Sequence, residues 1–210
     1  MPLHKTTTNG SQFQILVWKI TESFDELFDQ VFLSDTSLIR LNNMKSELHQ
    51  RGFLSVRMLL QTAGYSDNDL YYDAFGKPHL IDDKCISITH SFGFSAIILS
   101  DKIAGIDIEL RRAKIMVIAD KYNETEFDFL NKDDEDDYIR KLTAIWGAKE
   151  SVFKIQNEIG ISFKDHISVF PFEIDEGKTS AILTFADLVK EFRVYFEEIE
   201  TYTLVYVFEK

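Results

Sequence analysis

With one cysteine, Cys85, the chain cannot close an internal disulfide, and a reducing compartment is its natural setting. No Cys and His residues fall at the spacing of a zinc site, and Cys85 reads as a small buried residue, not a nucleophile. Proline is scarce at 3 and glycine numbers only 9, which excludes collagen-like and Pro/Gly-rich disordered architectures. No apolar run reaches about 18 residues, so no segment spans a bilayer as a helix. The first twelve residues are polar and threonine-rich, without the apolar run of a signal peptide, and a cytoplasmic location is expected. Basic residues are in the minority: 23 Lys and Arg against 35 Asp and Glu give a net charge of −12. That excludes nucleic acid or an anionic membrane as the main partner, while leaving room for a local basic patch. Apolar material is ample: 45% of the 210 residues are hydrophobic, 18 of them Phe. This suffices for one large domain or two small ones.

Periodicity predicts a first strand over 14–20, then a helix over 23–32 with Ser23 and Glu26 spaced as a capping box. A longer helical region over 37–62 is interrupted by Gly52 and ended by Gly64. Phe75-Gly76-Lys77-Pro78 is a turn, with Pro78 barred from a central strand. Strands over 85–89, 95–99 and 103–109 follow closely and read as an antiparallel meander. The second half begins with a helix over 116–130 and an acidic loop, Asp133 to Asp137, that suits the N-terminal flank of the next helix. That helix covers 138–158, and strands over 166–173, 180–185, 191–197 and 203–208 close the chain. The order suggests an α+β fold of two similar halves joined near residues 100–103.

Two short stretches carry chemistry. In Gly105-Ile106-Asp107-Ile108-Glu109 the strand period of two puts Ile106 and Ile108 on one face, with Asp107 and Glu109 side by side on the other. A solvated strand face accounts for two such acids; so does a hard cation such as Mg²⁺ held by a few carboxylates together with phosphate oxygens. The second stretch is Trp146-Gly147-Ala148-Lys149-Glu150-Ser151-Val152-Phe153-Lys154. Lys149 falls in the apolar stripe of its helix, where an unpartnered ammonium is costly. Gly147 costs about 1 kcal/mol against alanine at mid-helix, as a glycine does where something approaches closely. Glu150 and Lys154 share a face, as an i,i+4 surface pair would, but such a pair explains neither Lys149 nor Gly147. His90, flanked by Thr89 and Ser91 at a strand end, is suited to phosphate oxygens.

Four motifs stand in this order: Phe75-Gly76-Lys77-Pro78, Ile88-Thr89-His90-Ser91, Gly105-Ile106-Asp107-Ile108-Glu109, and Trp146-x-x-Lys149-Glu150-Ser151-x-x-Lys154. In them the chain resembles the 4′-phosphopantetheinyl transferases of the Sfp (surfactin-synthetase-activating) type, over about residues 50–165. The resemblance implies a pseudo-duplicated α+β fold, two similar halves each with an antiparallel sheet and packed helices. The halves would be 1–101 and 102–210, the second carrying the metal ligands, with the active site at their interface. It implies transfer of the phosphopantetheine arm of coenzyme A to a serine of an acyl or peptidyl carrier protein, with Mg²⁺, releasing adenosine 3′,5′-bisphosphate. Asp107, Glu109 and Glu150 would be Mg²⁺ ligands. Lys154 would contact the pyrophosphate and serve in proton transfer, and Lys149 would be a second phosphate cation. Thr89, His90 and Ser91 would hold coenzyme A phosphates, and Gly76, Lys77 and Pro78 would lie under the adenosine. Glu126 falls where such proteins place a base, with Glu124 or a metal-bound water as alternatives. Residues 21–39 contain no Lys or Arg, so a contact for the 3′-phosphate is sought among Arg40, Lys45, Arg51 and Arg57. Arg111, Arg112 and Lys114 form either a carrier-docking patch or a solvated loop. The duplicated halves favour a monomer. Two other classes stay open: a member that binds coenzyme A or a carrier without transfer, and another Mg²⁺-dependent pyrophosphate enzyme such as a hydrolase.

Overall fold

The computed structural model describes residues 3–10 and 12–210, and the chain divides between Lys102 and Ile103 into two compact units. Residues 1, 2 and 11 of the polar leader lie outside the described residues.

The first unit contains strands β1 (Leu3–Asn9) and β2 (Phe13–Lys19), helices α1 (Phe24–Phe28), α2 (Asp35–Asn42) and α3 (Glu47–Thr62), and strands β3 (Leu70–Tyr72), β4 (Pro78–Leu80), β5 (Cys85–Ser91) and β6 (Phe94–Ser100). Its antiparallel sheet has the order β1-β2-β6-β5, and β3-β4 form a separate hairpin. The core lies between α3 and the sheet: Phe53, Leu54, Val56, Leu59 and Leu60 cover Leu16, Trp18 and Ile97. The Ser23–Glu26 capping box is present, yet α1 stops at Phe28 instead of continuing to residue 32. β1 was not anticipated from its polar character; its threonines are β-branched, and the strand sits at the sheet edge with every second residue exposed. The expected helix over 37–62 is two helices, broken between Asn43 and Ser46. Gly52 does not interrupt α3, and Gly64 follows it at φ 89°.

The second unit contains β7 (Ala104–Leu110), α4 (Lys114–Ile118), α5 (Glu135–Gln156), α6 (Phe163–His166), β8 (Ile167–Val169), β9 (Lys178–Phe185), β10 (Leu188–Ile199) and β11 (Tyr202–Glu209). Its antiparallel sheet has the order β7-β11-β10-β9-β8. β7 therefore does not extend the β5-β6 hairpin as the meander reading expected; it pairs with β11, 92 residues later at Tyr202↔Leu110. The helix expected over 116–130 is only α4 followed by short 3-10 turns at Ala119–Lys121 and Thr125–Phe129. The strand expected over 166–173 shrinks to β8. Asp134 caps α5 by accepting from Asp137 N–H at 3.2 Å, and Glu135, Asp136 and Asp137 fill the first turn, where the helix dipole favours anions. At the other end Asn157 turns left-handed, at φ 51°.

Both units share one connection: a leading strand, a long helix, and a closing hairpin whose last strand pairs with the leading strand. That is β2, α3, β5, β6 in one and β7, α5, β10, β11 in the other. Among the described residues no helix is long and apolar enough to cross a membrane.

Candidate active site

The site in the second unit starts from two glycines. A Cβ on Gly105 of β7 would lie 2.1 Å from the Ser151 carbonyl oxygen of α5, and one on Gly147 of α5 would lie 2.6 Å from Val205 Cγ2 of β11. Their absence lets α5 sit on β7 and β11 closer than side chains permit. Gly105, Asp107 and Glu109 alternate onto the β7 face that α5 covers, and Gly147 lies 3.6 Å (by its ideal Cβ) from Asp107 Oδ2. The close approach inferred for Gly147 is thus made by the protein's own strand.

Asp107 is buried, at 4% exposure. Its Oδ1 accepts from Lys154 Nζ at 2.8 Å, and the same ammonium donates to the Ile106 carbonyl at 2.9 Å. Lys154 thus reaches from α5 across to β7. Glu150 is half-buried one turn before it, with Asp107 and Glu109 near enough to repel its charge. Burial first, then the negative Asp107, push the Glu150 carboxyl up to about 7; Lys154 opposes and Glu109 adds to the rise. Three carboxylates and the Lys154 ammonium thus gather where α5 meets β7. Among the described residues no three acidic, His or Cys side chains stand close enough to hold a metal ion by themselves. A cation here would take part of its coordination from water or a ligand.

Beside Glu109 lies a cleft of about 200 Å³, lined also by Leu110, Arg112, Lys114, Ile115, Ile118 and Trp146. Trp146 is held edge-on to Tyr122, with ring centroids 5.0 Å apart. Arg111 does not join Arg112 and Lys114 there. Its guanidinium donates to the Tyr202 and Glu200 carbonyls and pairs with Glu198 at 3.3 Å, bracing the β10–β11 turn.

Lys149 and Glu126 take another place than the sequence suggested. Lys149 is fully buried and pairs with Glu126 at 2.7 Å, whose side chain is 1% exposed. Burial lowers the Lys149 pKa against the opposing pull of Glu126. Neither the expected phosphate contact nor the expected base is open to a ligand in this arrangement. The sequence held the clue, since a lysine in an apolar stripe requires a buried partner; the identity of that partner needed the fold.

In the first unit the 73–77 turn is organised by Asp73. Its Oδ1 accepts from Phe75 N–H and Lys77 N–H, each at 2.9 Å, and His79 Nε2 lies 3.2 Å from its Oδ2. The Lys77 N–H first, outweighing slight burial, with His79 and Phe75 N–H, holds the Asp73 carboxyl below the usual range. Gly76 sits at φ 82°. Asp at the first and Gly at the fourth position of Asp73-Ala74-Phe75-Gly76 is a turn signal, and it points to Asp73 as the organiser. Lys77 is half-buried, and Pro78 opens β4 in a two-stranded hairpin, away from any central strand.

His90 is exposed at the end of β5, between buried Thr89 and Ser91. A Cβ on Gly52 of α3 would lie 2.9 Å from His90 Nδ1, so this glycine makes room for the ring. Arg51, half-buried, donates to the Ile20 carbonyl at 3.4 Å, and its buried Nε has no hydrogen-bond partner. Arg40 lies over the Tyr72 ring at 4.7 Å. Arg57, expected as a phosphate contact, is 3% exposed and bonded to Asp67 at 2.9 Å and to Ser37 at 3.3 Å, so it is a core residue instead.

The family model for the 4′-phosphopantetheinyl transferase superfamily matches residues 104–207, nearly the whole second unit. No curated protein matches the chain.

Proposed function

The chain belongs to the 4′-phosphopantetheinyl transferase superfamily, and on that premise we propose that it moves the phosphopantetheine arm of coenzyme A onto a serine of an acyl or peptidyl carrier protein, with Mg²⁺. One observation carries the reading: α5 brings Glu150 to the strand face bearing Asp107 and Glu109, beside the ammonium of Lys154. In that cluster, on top of burial, Asp107 and Glu109 both raise the Glu150 pKa, the mutual repulsion of like charges that a bound cation relieves. The cluster's donors are hard carboxylate oxygens and fit Mg²⁺, which would be held by such carboxylates together with phosphate oxygens and water. Asp107, Glu109 and Glu150 are the ligands we assign. Bound there, the ion would neutralise charge on a pyrophosphate.

The serine oxygen forms a bond to the phosphorus carrying the pantetheine, and the bond from that phosphorus to the bridging pyrophosphate oxygen breaks. Adenosine 3′,5′-bisphosphate leaves with the electron pair, and the serine proton passes to solvent or to a carboxylate of the cluster. The protein's work is alignment and charge stabilisation. Lys154, held by Asp107 and the Ile106 carbonyl, is the cation assigned to the pyrophosphate. His90 and Ser91, with Thr89, are assigned to phosphate oxygens, and Gly76, Lys77 and Pro78 to the adenosine. Arg51, with its unsatisfied Nε, stays a 3′-phosphate candidate beside Arg40 and Lys45 once Arg57 is set aside. Arg112 and Lys114, at the mouth of the cleft beside Glu109, suit an acidic carrier surface.

The test is the intact mass of an apo acyl carrier protein after incubation with the protein, coenzyme A and Mg²⁺. We expect the gain of a single phosphopantetheine arm, lost when the metal is chelated. Coenzyme A binding without any mass gain would leave a binding protein, and cleavage of coenzyme A without a modified carrier would leave a hydrolase.

A further inference from the structure

Lys149 and Glu126 are a buried cation and a buried carboxylate for which the proposed reaction has no step. An ammonium has three N–H donors. Lys149 directs all three inward: to Glu126 Oε1 at 2.7 Å, to the Tyr122 carbonyl at 2.6 Å and to the Phe163 carbonyl at 3.0 Å. Glu126 is equally committed. Its Oε1 also accepts from Val169 N–H at 2.9 Å, and its Oε2 from Glu124 N–H at 3.1 Å. One ion pair therefore ties α5 to the 122–126 segment, to α6 and to β8. On the same turn of α5, Gly147 rests on Val205 and the Ser151 carbonyl faces Gly105. The helix is thus fixed at residues 147, 149 and 151 on three different neighbours, and Glu150 lies among them.

We propose that Lys149 and Glu126 are positioning residues: their ion pair sets the rotation of α5 and so presents Glu150 and Lys154 to Asp107 and Glu109, without touching substrate. The functional consequence rests on the transferase reading; the mechanical one does not. The proposal denies Glu126 the part of proton acceptor and Lys149 the part of phosphate contact.

The test compares K149M, E126Q and the double variant. It uses thermal unfolding, Trp146 fluorescence in a W18F background, Mg²⁺ affinity by calorimetry, and turnover against pH. K149M should lose the most stability, because it leaves Glu126 buried and unpaired, and adding E126Q should recover part of that loss. E126Q and the double variant, which keep acceptors at residue 126, should fold even where K149M does not. Each should shift the Trp146 emission and weaken Mg²⁺ binding by about 3- to 30-fold, the scale of coupling through packed neighbours. E126Q should keep turnover within the same factor and retain the acidic limb of the pH profile.

Two outcomes would overturn the proposal. In one, E126Q has normal Trp146 emission and Mg²⁺ affinity but loses about 10²-fold or more of turnover together with the acidic limb, as for a general base. In the other, emission and Mg²⁺ affinity stay unmoved in every folded variant. A wild-type protein that modifies no carrier would defeat the transferase reading alone, since the emission and stability measurements still decide the positioning role.

Discussion

The two long helices, α3 and α5, lie on sheets of the same connection but meet different surfaces. On the leading strand of the first unit, Leu16 and Trp18 belong to the core packed by α3. On the leading strand of the second, the residues under α5 are Gly105, Asp107 and Glu109. One strand gives its helix a hydrophobic floor and the other a cluster of carboxylates. Each unit also buries one ion pair anchored in its helix, Arg57–Asp67 and Lys149–Glu126. The pattern separates the two units: the same strand-helix-hairpin frame has an apolar floor in one, and in the other it carries the carboxylates to which we assign Mg²⁺.

The largest effect should come from breaking that difference at the strands. Asp107→Ala and Glu150→Ala should each lower carrier modification by about 10²- to 10³-fold, the range seen when preorganised charge stabilisation is lost, while both variants keep the wild-type circular dichroism spectrum. Leu16→Ala should do the reverse. It should cost about 2–5 kcal/mol of stability in chemical denaturation and leave the turnover of the folded protein nearly intact. Near wild-type turnover in either carboxylate variant at ordinary Mg²⁺ would sink the metal assignment.

The ion pairs come next. Arg57→Met should destabilise the protein by about 3–5 kcal/mol, since it strands the Asp67 carboxylate in the core. Arg57 also stacks 3.4 Å from the Phe53 ring centroid, and methionine keeps part of that contact. A loss under about 1 kcal/mol would mean that the hydroxyls of Ser34 and Ser37 hold Asp67 without it.

Much of this contrast was legible in the sequence. Alternation placed Asp107 and Glu109 on one face, and their pairing with the stretch around Glu150 pointed to one cluster. The capping box at Ser23 was local and therefore readable, as was the acidic run beside the helix dipole at the start of α5, though the helix takes in Glu135 to Asp137. The identity of β7's neighbour was not, because pairing with β11 is set by packing across 92 residues at Tyr202↔Leu110, beyond any local periodicity. Arg57 and Lys149 were misread for one reason. A cation on a helix looks the same in sequence whether it meets a ligand or a buried carboxylate, and Asp67 and Glu126 sit in short irregular segments with no pattern of their own. β1 was missed because its face is polar, and polarity hides an edge strand.

Two carboxylates sharpen the comparison through pH. Asp67 is pushed up by burial but more strongly down by hydrogen bonds from Ser34 N–H and the Ser34 and Ser37 hydroxyls and by the Arg57 charge, so its net pKa is lowered. A folded pKa below the unfolded one means stability that is present above about pH 4 and lost as pH falls through the lowered value. Glu150 has the opposite sign. Its folded pKa is raised from 4.5 to about 7, so the metal-free protein should lose stability as pH rises between those values, by at most about 3 kcal/mol. Asp67→Asn should flatten the acid side of the stability curve and Glu150→Gln the neutral side. Urea midpoints between pH 3 and 8 would show it, and parallel curves for all three proteins would contradict both assignments.

The smallest expected effect lies in the glycines where helix meets strand, and it is the most discriminating. An alanine at 105 puts a methyl carbon 2.1 Å from a backbone carbonyl oxygen, and one at 147 puts it 2.6 Å from a fully buried valine methyl. Neither neighbour moves cheaply, so Gly105→Ala and then Gly147→Ala should each cost about 1–3 kcal/mol. Gly52→Ala meets only the ring of exposed His90, at 2.9 Å, which can swing aside, and alanine favours the helix by about 1 kcal/mol. Stability should therefore change by less than about 1 kcal/mol, or rise. If His90 holds a coenzyme A phosphate, the displaced ring should raise KM for coenzyme A several-fold, about 1 kcal/mol for a lost hydrogen bond, with kcat changing less. An unchanged KM would leave Gly52 as a packing glycine like Gly147, and would place the phosphate grip elsewhere than on His90.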